Sequence, residues 1–497
     1  MAKGGSGFAV CGWNARRSSL NSDASWPEPE TAKARVLEIQ RKLHKWAKDG
    51  ESRRFSDLHN LVCDPATLIA AWTRVRANRG SRSAGIDGLS AHHVETAQGV
   101  EKFLDELRQQ LRSGTYRPVS VRERLIPKRG GKHRRLGIPT VTDRVVQAAL
   151  KLVLEPIFEA DFQPCSYGFR PRRRAQDAIA EICLYARNSY EWVVEADIKA
   201  CFDELDHTAI LGRVRRRVAD KRVLALVKAF LKAGIMTEQG GFQATATGTP
   251  QGGILSPLLA NIALSTLDDH FAEIWENFGS RQRRGRLRAA GEATYRLIRY
   301  ADDFVILVSG SRRQAEALVS ETAGVIAPLG LTLSAEKTCV VHVDQGFDFL
   351  GWRVKRQQGR RGRPEIYTYP SRPSLMAVKS QIRTITTSDR NQPLGQLLRR
   401  LNPVLRGWCN YYRHGVSSAT YSYLSRFTWR RVIRWLRRKH PKASWRYLRR
   451  RYLPRWWPLD GEIQMFEPEK VRIVRYLYRG SKIPSPWEAA ASDGTNG

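Results

Sequence analysis

Histidine and cysteine are too scattered in this chain to build a zinc site or a disulfide framework. The seven cysteines, Cys11, Cys63, Cys165, Cys183, Cys201, Cys339 and Cys409, contain no CxxC pair. Zinc ribbons need paired thiolates and small secreted scaffolds need dense cysteine, so both are excluded, and the usage suits a reducing compartment. No apolar run reaches the ~20 residues of a membrane helix. Nor does Met1-Ala2-Lys3-Gly4-Gly5 lead into an apolar core of signal-peptide length. Acid is short as well: 48 Asp+Glu face 84 Lys+Arg, a net charge of +36. These absences predict a soluble, cytoplasmic protein whose partner is a polyanion, ordinarily nucleic acid.

What is present belongs to a folded protein. With 42% hydrophobic and 9% aromatic residues over 497 positions, pervasive disorder is excluded and several domains are affordable in core. The positive excess is localised. Between Gly351 and Arg455 stand 27 basic residues against Glu365 and Asp389 alone, +25 of the +36.

Periodicity predicts a helix over about Thr31 to Lys48, with Val36, Ile39, Leu43 and Trp46 on one face, and another over about Pro65 to Asn78. Ser120 to Thr140 reads as a basic hairpin turning at Gly130-Gly131. A helix follows from about Thr142 to Phe158, and Trp192-Val-Val-Glu-Ala reads as a buried strand ending at Asp197. Helices are expected over about Thr208 to Gly234 and from Ser256 to Phe278, with turns and short strands between. Arg281 to Glu292 reads as a basic loop. Leu297 to Val308 reads as two short strands around Ala301-Asp302-Asp303. Beyond Gly351 the expectation is mostly helix, broken near Pro370, Pro393, Gly415 and Pro441. The pattern predicts an α+β catalytic part followed by a helical, basic, nucleic-acid-binding part.

Adjacent acids between buried strands call for an explanation. In Arg299-Tyr300-Ala301-Asp302-Asp303-Phe304-Val305-Ile306, two carboxylates share one tight turn, an unfavourable placement unless a cation binds them. Asp197 offers a third carboxylate at another strand end. Hard oxygen ligands without His or Cys nearby favour Mg²⁺. Two such ions, roughly 3.5–4 Å apart, could serve a 3′-hydroxyl and a leaving pyrophosphate. The plainer alternative is a turn whose Asp pair caps backbone N–H groups.

Tyr300-Ala301-Asp302-Asp303 resembles the YADD box of reverse transcriptases. An ordered series extends the likeness: Ser83-Ala84-Gly85-Ile86-Asp87-Gly88, Leu136-Gly137-Ile138-Pro139-Thr140, Ser166-Tyr167-Gly168-Phe169-Arg170-Pro171, Gly248-Thr249-Pro250-Gln251-Gly252-Gly253, Phe349-Leu350-Gly351-Trp352 and Gly407-Trp408-Cys409-Asn410-Tyr411-Tyr412-Arg413. Together they resemble group II intron reverse transcriptase/maturases over roughly residues 60 to 455. The resemblance implies a right-hand polymerase of fingers, palm and thumb with a helical, basic maturase/DNA-binding extension. It implies an N-terminal extension over 1–62, fingers over 63–190, palm over 191–355, thumb/maturase domain X over 356–416 and a nucleic-acid-binding region over 417–497.

The resemblance also assigns roles. Asp197, Asp302 and Asp303 would be catalytic and hold two Mg²⁺ (Mn²⁺ an alternative), helped by the Ile198 carbonyl. Lys128 and Arg134 would grip the dNTP triphosphate, Gln251 would line the nucleotide pocket, and Lys337 would protonate pyrophosphate. Phe202 would reject a ribose 2′-hydroxyl, although without the resemblance a Phe at a strand-to-helix turn is more often simply core. Phe349, Leu350, Gly351 and Trp352 would form the primer grip, with core packing again the alternative.

From Arg426 to Arg455 there are 13 Lys/Arg and no acid, interleaved with Phe427, Trp429, Trp435, Trp445, Tyr447 and Tyr452. Unbroken positive charge repels itself unless phosphate neutralises it, and aromatic rings can stack on exposed bases. Arg430, Arg431, Arg434, Arg437, Arg438, Arg449 and Arg450 are the expected RNA/DNA contacts, and Trp429, Val432, Ile433 and Leu436 the core stripe of that helix. Implied partners are group II intron RNA, an RNA template with DNA primer, dNTPs and target DNA, in a bacterial ribonucleoprotein particle. After Arg455 come about forty residues with no His and no Cys, so the His/Cys-rich HNH endonuclease of many relatives is expected to be lacking. The competing readings are a non-enzymatic splicing factor on a dead polymerase scaffold, and a retron, diversity-generating or CRISPR-linked reverse transcriptase.

Overall fold

The structure, a computed structural model, describes residues 26–127, 133–359, 362–389 and 391–488. Helices α1 (Pro29–Asp49), α2 (Pro65–Ala77) and α4 (Val141–Glu159) pack against one another, with α3 (Val100–Ser113) beside α2. Helix α4 is buried along almost its whole length, including its polar Asp143, Arg144, Gln147, Glu155 and Glu159. Thr140 starts it by accepting the Asp143 N–H at 3.1 Å.

Strands β1 (Val121–Pro127) and β2 (His133–Ile138) form the expected antiparallel hairpin, Ile126 opposite Arg134. Its base is buried and its outer half projects into solvent. The short strand Ile235–Met236 pairs parallel to the start of β1 and is itself paired with Phe242–Gln243. Between lie α5 (Ala175–Ala186), α6 (His207–Arg215) and α7 (Lys221–Leu231), the last two started by the side chains of Asp206 and Asp220.

The central sheet contains β3 (Trp192–Asp197), β4 (Thr294–Tyr300), β5 (Asp303–Ser309) and β6 (Cys339–His342), in the order β4-β5-β3-β6. Phe304 to Val308 of β5 is a continuous apolar run because both faces of this antiparallel sheet are covered. Phe304, Ile306 and Val308 enter one core with α8 (Ser256–Asn277) and α10 (Arg312–Ile326), while Val305 and Leu307 enter a second. That second core holds the sheet β7 (Phe347–Phe349), β8 (Trp352–Gln358) and β9 (Pro364–Pro370). It also holds α11 (Arg372–Thr387), α12 (Leu394–Tyr412) and α13 (Ser418–Lys439), with α14 (Trp445–Tyr452) on its edge.

Three local expectations are corrected. The basic stretch after Ser280 is not a loop but helix α9 (Arg281–Ala289), which Ser280 caps by accepting the Arg283 N–H. Residues 352–358 and 364–370 are not helical: β8 and β9 pair antiparallel before the helices begin. Trp435 is not available to bases, being 1% exposed in the second core.

Beyond Tyr452 the chain returns across the molecule as a strap. The Val474 N–H donates to the Arg413 carbonyl at 2.9 Å, and Arg479 pairs with Asp177 of α5 at 2.8 Å. Further on, the Trp487 indole donates to Gln40 Oε1 of α1 at 3.1 Å, and Lys48 pairs with Glu488 at 2.8 Å.

Candidate active site

Pairing register brings two of the three predicted aspartates to one sheet end. Asp197, last in β3, stands directly opposite Asp303, first in β5. Asp302 occupies the turn between β4 and β5, where Ala301 has φ of +59°. A left-handed alanine is strained and must be held by its surroundings. Arg299 supplies the hold. Wholly buried, it is ion-paired to Asp268 of α8 and donates to the Ala301 carbonyl at 2.8 Å, to Asn261 Oδ1 at 3.1 Å and to Ser166 Oγ at 2.8 Å. On its other side the turn meets Gly168, where a Cβ would lie 2.3 Å from the Ala301 nitrogen. Only glycine lets the Ser166–Pro171 loop approach so closely. Sequence reading missed Arg299 and Asp268, although an arginine inside an apolar strand signals a buried partner.

The electrostatics follow from crowding of like charge. Asp303 keeps contact with solvent, yet surrounding protein, then Asp302 and Asp197, push its pKa up to about 6; Lys337 and Arg134 act in the opposite direction. The Lys337 ammonium sits 2.6 Å from Asp197 Oδ2, and this hydrogen bond raises its own pKa. Among the described residues no three His, Cys, Asp or Glu side chains are drawn into a ready-made metal cage. Three neighbouring carboxylates with one lysine as counter-charge are nonetheless a donor set that fits a hard divalent cation.

The strand-to-helix turn after Asp197 carries Ile198, buried at 3% exposure, and Ala200 in the left-handed region. Phe202 follows, half-buried, its ring edge-on to that of exposed Phe169 at 6.5 Å. The Thr249 N–H donates to the Phe202 carbonyl at 2.6 Å and the Gly248 N–H to Leu205 at 2.7 Å. A Cβ on Gly248 would lie 2.5 Å from the Asp203 carbonyl, so the Gly248–Gly253 loop is clamped beneath Phe202. Gln251 reaches Asp203 Oδ2 only at 3.5 Å, while its carbonyl accepts the Gly137 N–H at 2.7 Å. That contact ties the loop to the base of the hairpin whose exposed Arg134 stabilises the Asp303 charge. Lys128 lies outside the described residues.

Phe349-Leu350-Gly351-Trp352 proves to be the corner between β7 and β8. Phe349 and Trp352 are buried, at 6% and 1% exposure, so only the Leu350-Gly351 turn faces outward. Both turn residues have positive φ, +50° and +81°. Tyr411 donates to the Leu350 carbonyl at 2.8 Å and Tyr412 to that of Gly351 at 3.0 Å. Two of the motifs read separately in the sequence thus interlock.

On α13, Arg430, Arg434, Arg437 and Arg438 are exposed, while Arg431 is half-buried and donates to Thr386 Oγ1 at 3.0 Å. Val432, Ile433 and Leu436 are core as expected; Trp429 is only partly buried and donates to the Trp456 carbonyl at 2.9 Å. On α14, Arg449 and Arg450 are exposed, and Arg449 stacks on Trp456 at 4.4 Å.

Comparison with known proteins agrees with this architecture. Residues 126–354 match the family described as Reverse transcriptase (RNA-dependent DNA polymerase), and residues 375–453 match the group II intron, maturase-specific domain. Protein YkfC of Escherichia coli K12 is 38% identical over 350 residues, 67% of this chain and 91% of YkfC. The group II intron-encoded protein LtrA of Lactococcus lactis is 31% identical over 367 residues, 64% of this chain and 60% of LtrA. A putative COX1/OXI3 intron 2 protein of Saccharomyces cerevisiae is 25% identical, covering 72% of this chain and 44% of its own length. A telomerase structure from Candida albicans aligns with 68% of this chain and 63% of its own at a TM-score of 0.37 and 13% identity. The class is that of right-hand RNA-directed DNA polymerases with a helical extension. Within it, the chain belongs to the group II intron reverse transcriptase/maturase family. No helix among the described residues is long and apolar enough to cross a membrane.

Proposed function

We propose that this chain copies RNA into DNA from dNTPs at Asp197, Asp302 and Asp303, and that it binds intron RNA and assists its splicing and retrohoming. The observation carrying the reading is the register that sets Asp197 opposite Asp303, with Asp302 on the adjoining turn. Two Mg²⁺ bound there, with the Ile198 carbonyl as a further ligand, would supply activation of the primer 3′-hydroxyl and charge neutralisation at the pyrophosphate. The residues do the rest. Arg134, on the hairpin, and Lys128 hold the triphosphate by charge-assisted hydrogen bonds. Gln251 lines the same pocket from the loop tied to the hairpin base. Phe202 fills the space a 2′-hydroxyl would need. Lys337, paired with Asp197 at 2.6 Å, hands a proton to the departing pyrophosphate oxygen. The Leu350-Gly351 turn meets the primer backbone. Fingers over 63–190, palm over 191–355 and thumb/maturase regions beyond follow as the working division. The arginines of α13 and α14 bind intron RNA phosphates in a cytoplasmic ribonucleoprotein particle and, during mobility, target DNA. Copying needs the aspartates and splicing needs the arginines, so the two should separate. Asp302→Asn tests this: primer extension should be abolished while filter-binding affinity for folded intron RNA stays nearly unchanged. Normal extension by the variant would remove Asp302 from the active site.

A further inference from the structure

Helix α9 packs five arginines, Arg281, Arg283, Arg284, Arg286 and Arg288, into nine residues without a single acid. Like charges three and four positions apart destabilise a helix. Among the described residues none of the five makes an ion pair, so no carboxylate there offsets that repulsion.

Two of them anchor the helix. Arg284 lies over the Trp275 ring at 4.4 Å and Arg288 over Tyr190 at 5.8 Å, on an aromatic cluster that includes Tyr185, 5.3 Å from Trp275. Arg288 also donates to the Asn188 carbonyl at 3.4 Å. The other three, Arg281, Arg283 and Arg286, are exposed. Arg281 donates to Asn188 Oδ1 at 3.3 Å, and exposed Arg187 is the residue before Asn188 in the chain. The patch is therefore a built element that presents positive charge outward.

Its position separates it from the catalytic cleft. Helix α9 feeds into Thr294, the end of β4 remote from the YADD turn. Seven strand residues at ~3.3 Å each put about 20 Å between them. It also precedes, by the whole thumb region, the arginines of α13.

We propose that Arg281, Arg283 and Arg286 on α9, with Arg187, form a second docking surface for the backbone phosphates of a folded RNA, on the palm edge remote from the catalytic turn. This rests on the reading of the chain as an RNA-binding maturase and adds to it where on the palm the RNA is held. Guanidinium forks suit phosphate; Arg283 and Arg286, three positions apart, share the outward face of α9, and Arg281 extends the charge from the start of the helix.

The test is the full-length chain carrying Arg281→Gln, Arg283→Gln and Arg286→Gln, with circular dichroism to check that α9 and the fold persist. The probes are a Mg²⁺-folded bacterial group II ribozyme transcript, titrated by filter binding between about 50 and 200 mM KCl, and poly(rA)/oligo(dT) for extension. Each lost phosphate contact shallows the slope of log K against log[KCl] by about 0.7–0.9. The expected result is a slope shallower by about 2, a tenfold or greater loss of ribozyme affinity at the lowest salt, and unchanged extension. An unchanged slope with normal affinity would overturn the proposal, leaving α9 a solvated face or a protein-docking site. Equal losses on both probes would overturn it by putting α9 against the primer–template. Failure of the unaltered chain to prefer the ribozyme would sink the maturase reading and the proposal with it.

Discussion

The Tyr412 hydroxyl lies 3.0 Å from the Gly351 carbonyl, and it would lie 2.6 Å from a Cβ placed on that same glycine. One atom therefore both fixes the corner between β7 and β8 and forbids a side chain there. Gly351→Ala adds that clash to a φ of +81° and should displace the corner. Tyr412→Phe adds no clash and removes two hydrogen bonds, to the Gly351 carbonyl and to Ser374 Oγ at 2.6 Å, each worth about 1 kcal/mol. The alanine variant should raise KM for primer–template several-fold and shorten products, and the phenylalanine variant should do so weakly. Steady-state extension with both variants decides; an alanine variant with normal KM would place the corner away from the primer.

Phe202→Val should admit ribonucleotides. Removing the ring opens room beside Phe169 without touching the aspartates, so dNTP use persists while discrimination falls. The ratio of kcat/KM for a dNTP and its matching rNTP is the readout. A fall of one to two orders of magnitude is expected, ~1.4 kcal/mol per tenfold. A fixed ratio would return Phe202 to the core.

Glu195 gives a pH dependence. Burial, then the nearby Asp348, raise its pKa from 4.5 to about 7, against the pull of Arg353. The folded carboxyl holds its proton to about 7, whereas the unfolded one releases it near 4.5. Between those values the folded state binds more protons, so this group's contribution to stability falls as pH rises and is flat beyond. Glu195→Gln should raise the melting temperature at pH 8, by a gain of about 1–3 kcal/mol, and leave it unchanged at pH 4. Thermal melts at the two pH values check it; a gain at pH 4 of equal size would assign the effect to packing.

Arg430, Arg434, Arg437 and Arg438 to Gln should impair protein-assisted splicing far more than extension on an artificial primer–template. All four are exposed, and Gln preserves the helix and most of the stem. The salt slope of ribozyme binding should drop by about 3 for four lost contacts. Equal loss in both assays would mean that α13 grips the duplex.

Legibility from sequence followed the range of the interactions. The palm strands were readable because Trp192 to Val194 and Phe304 to Val308 are local apolar runs, and the hairpin because Gly130-Gly131 divides two β-rich segments. Asp197 and Asp303 could be paired only through likeness to a family, since no local pattern shows that residues 106 positions apart share a register. The Arg299–Asp268 pair, the Tyr411 and Tyr412 bonds to Leu350 and Gly351, and the anchoring of α9 on Trp275 all join distant segments. Helix α9 was misread as loop because its charge hides any apolar period; two cation–π contacts hold it instead. The β8–β9 pair was misread because basic side chains on a strand look like those on a polar helix.

The returning strap has a consequence for how the molecule is made. Trp487 lies 5.6 Å ring to ring from His44 and bonds Gln40, a partner 447 residues earlier in the chain. That patch of α1 emerges from the ribosome early and waits uncovered while nearly everything else is translated. Folding of the amino-terminal helices is thus completed late, by a segment synthesised after the arginines of α13 and α14. A nascent chain stalled before Trp487 would carry β3, β5 and helices α11 to α14, yet leave its first helix open to any other apolar surface in reach.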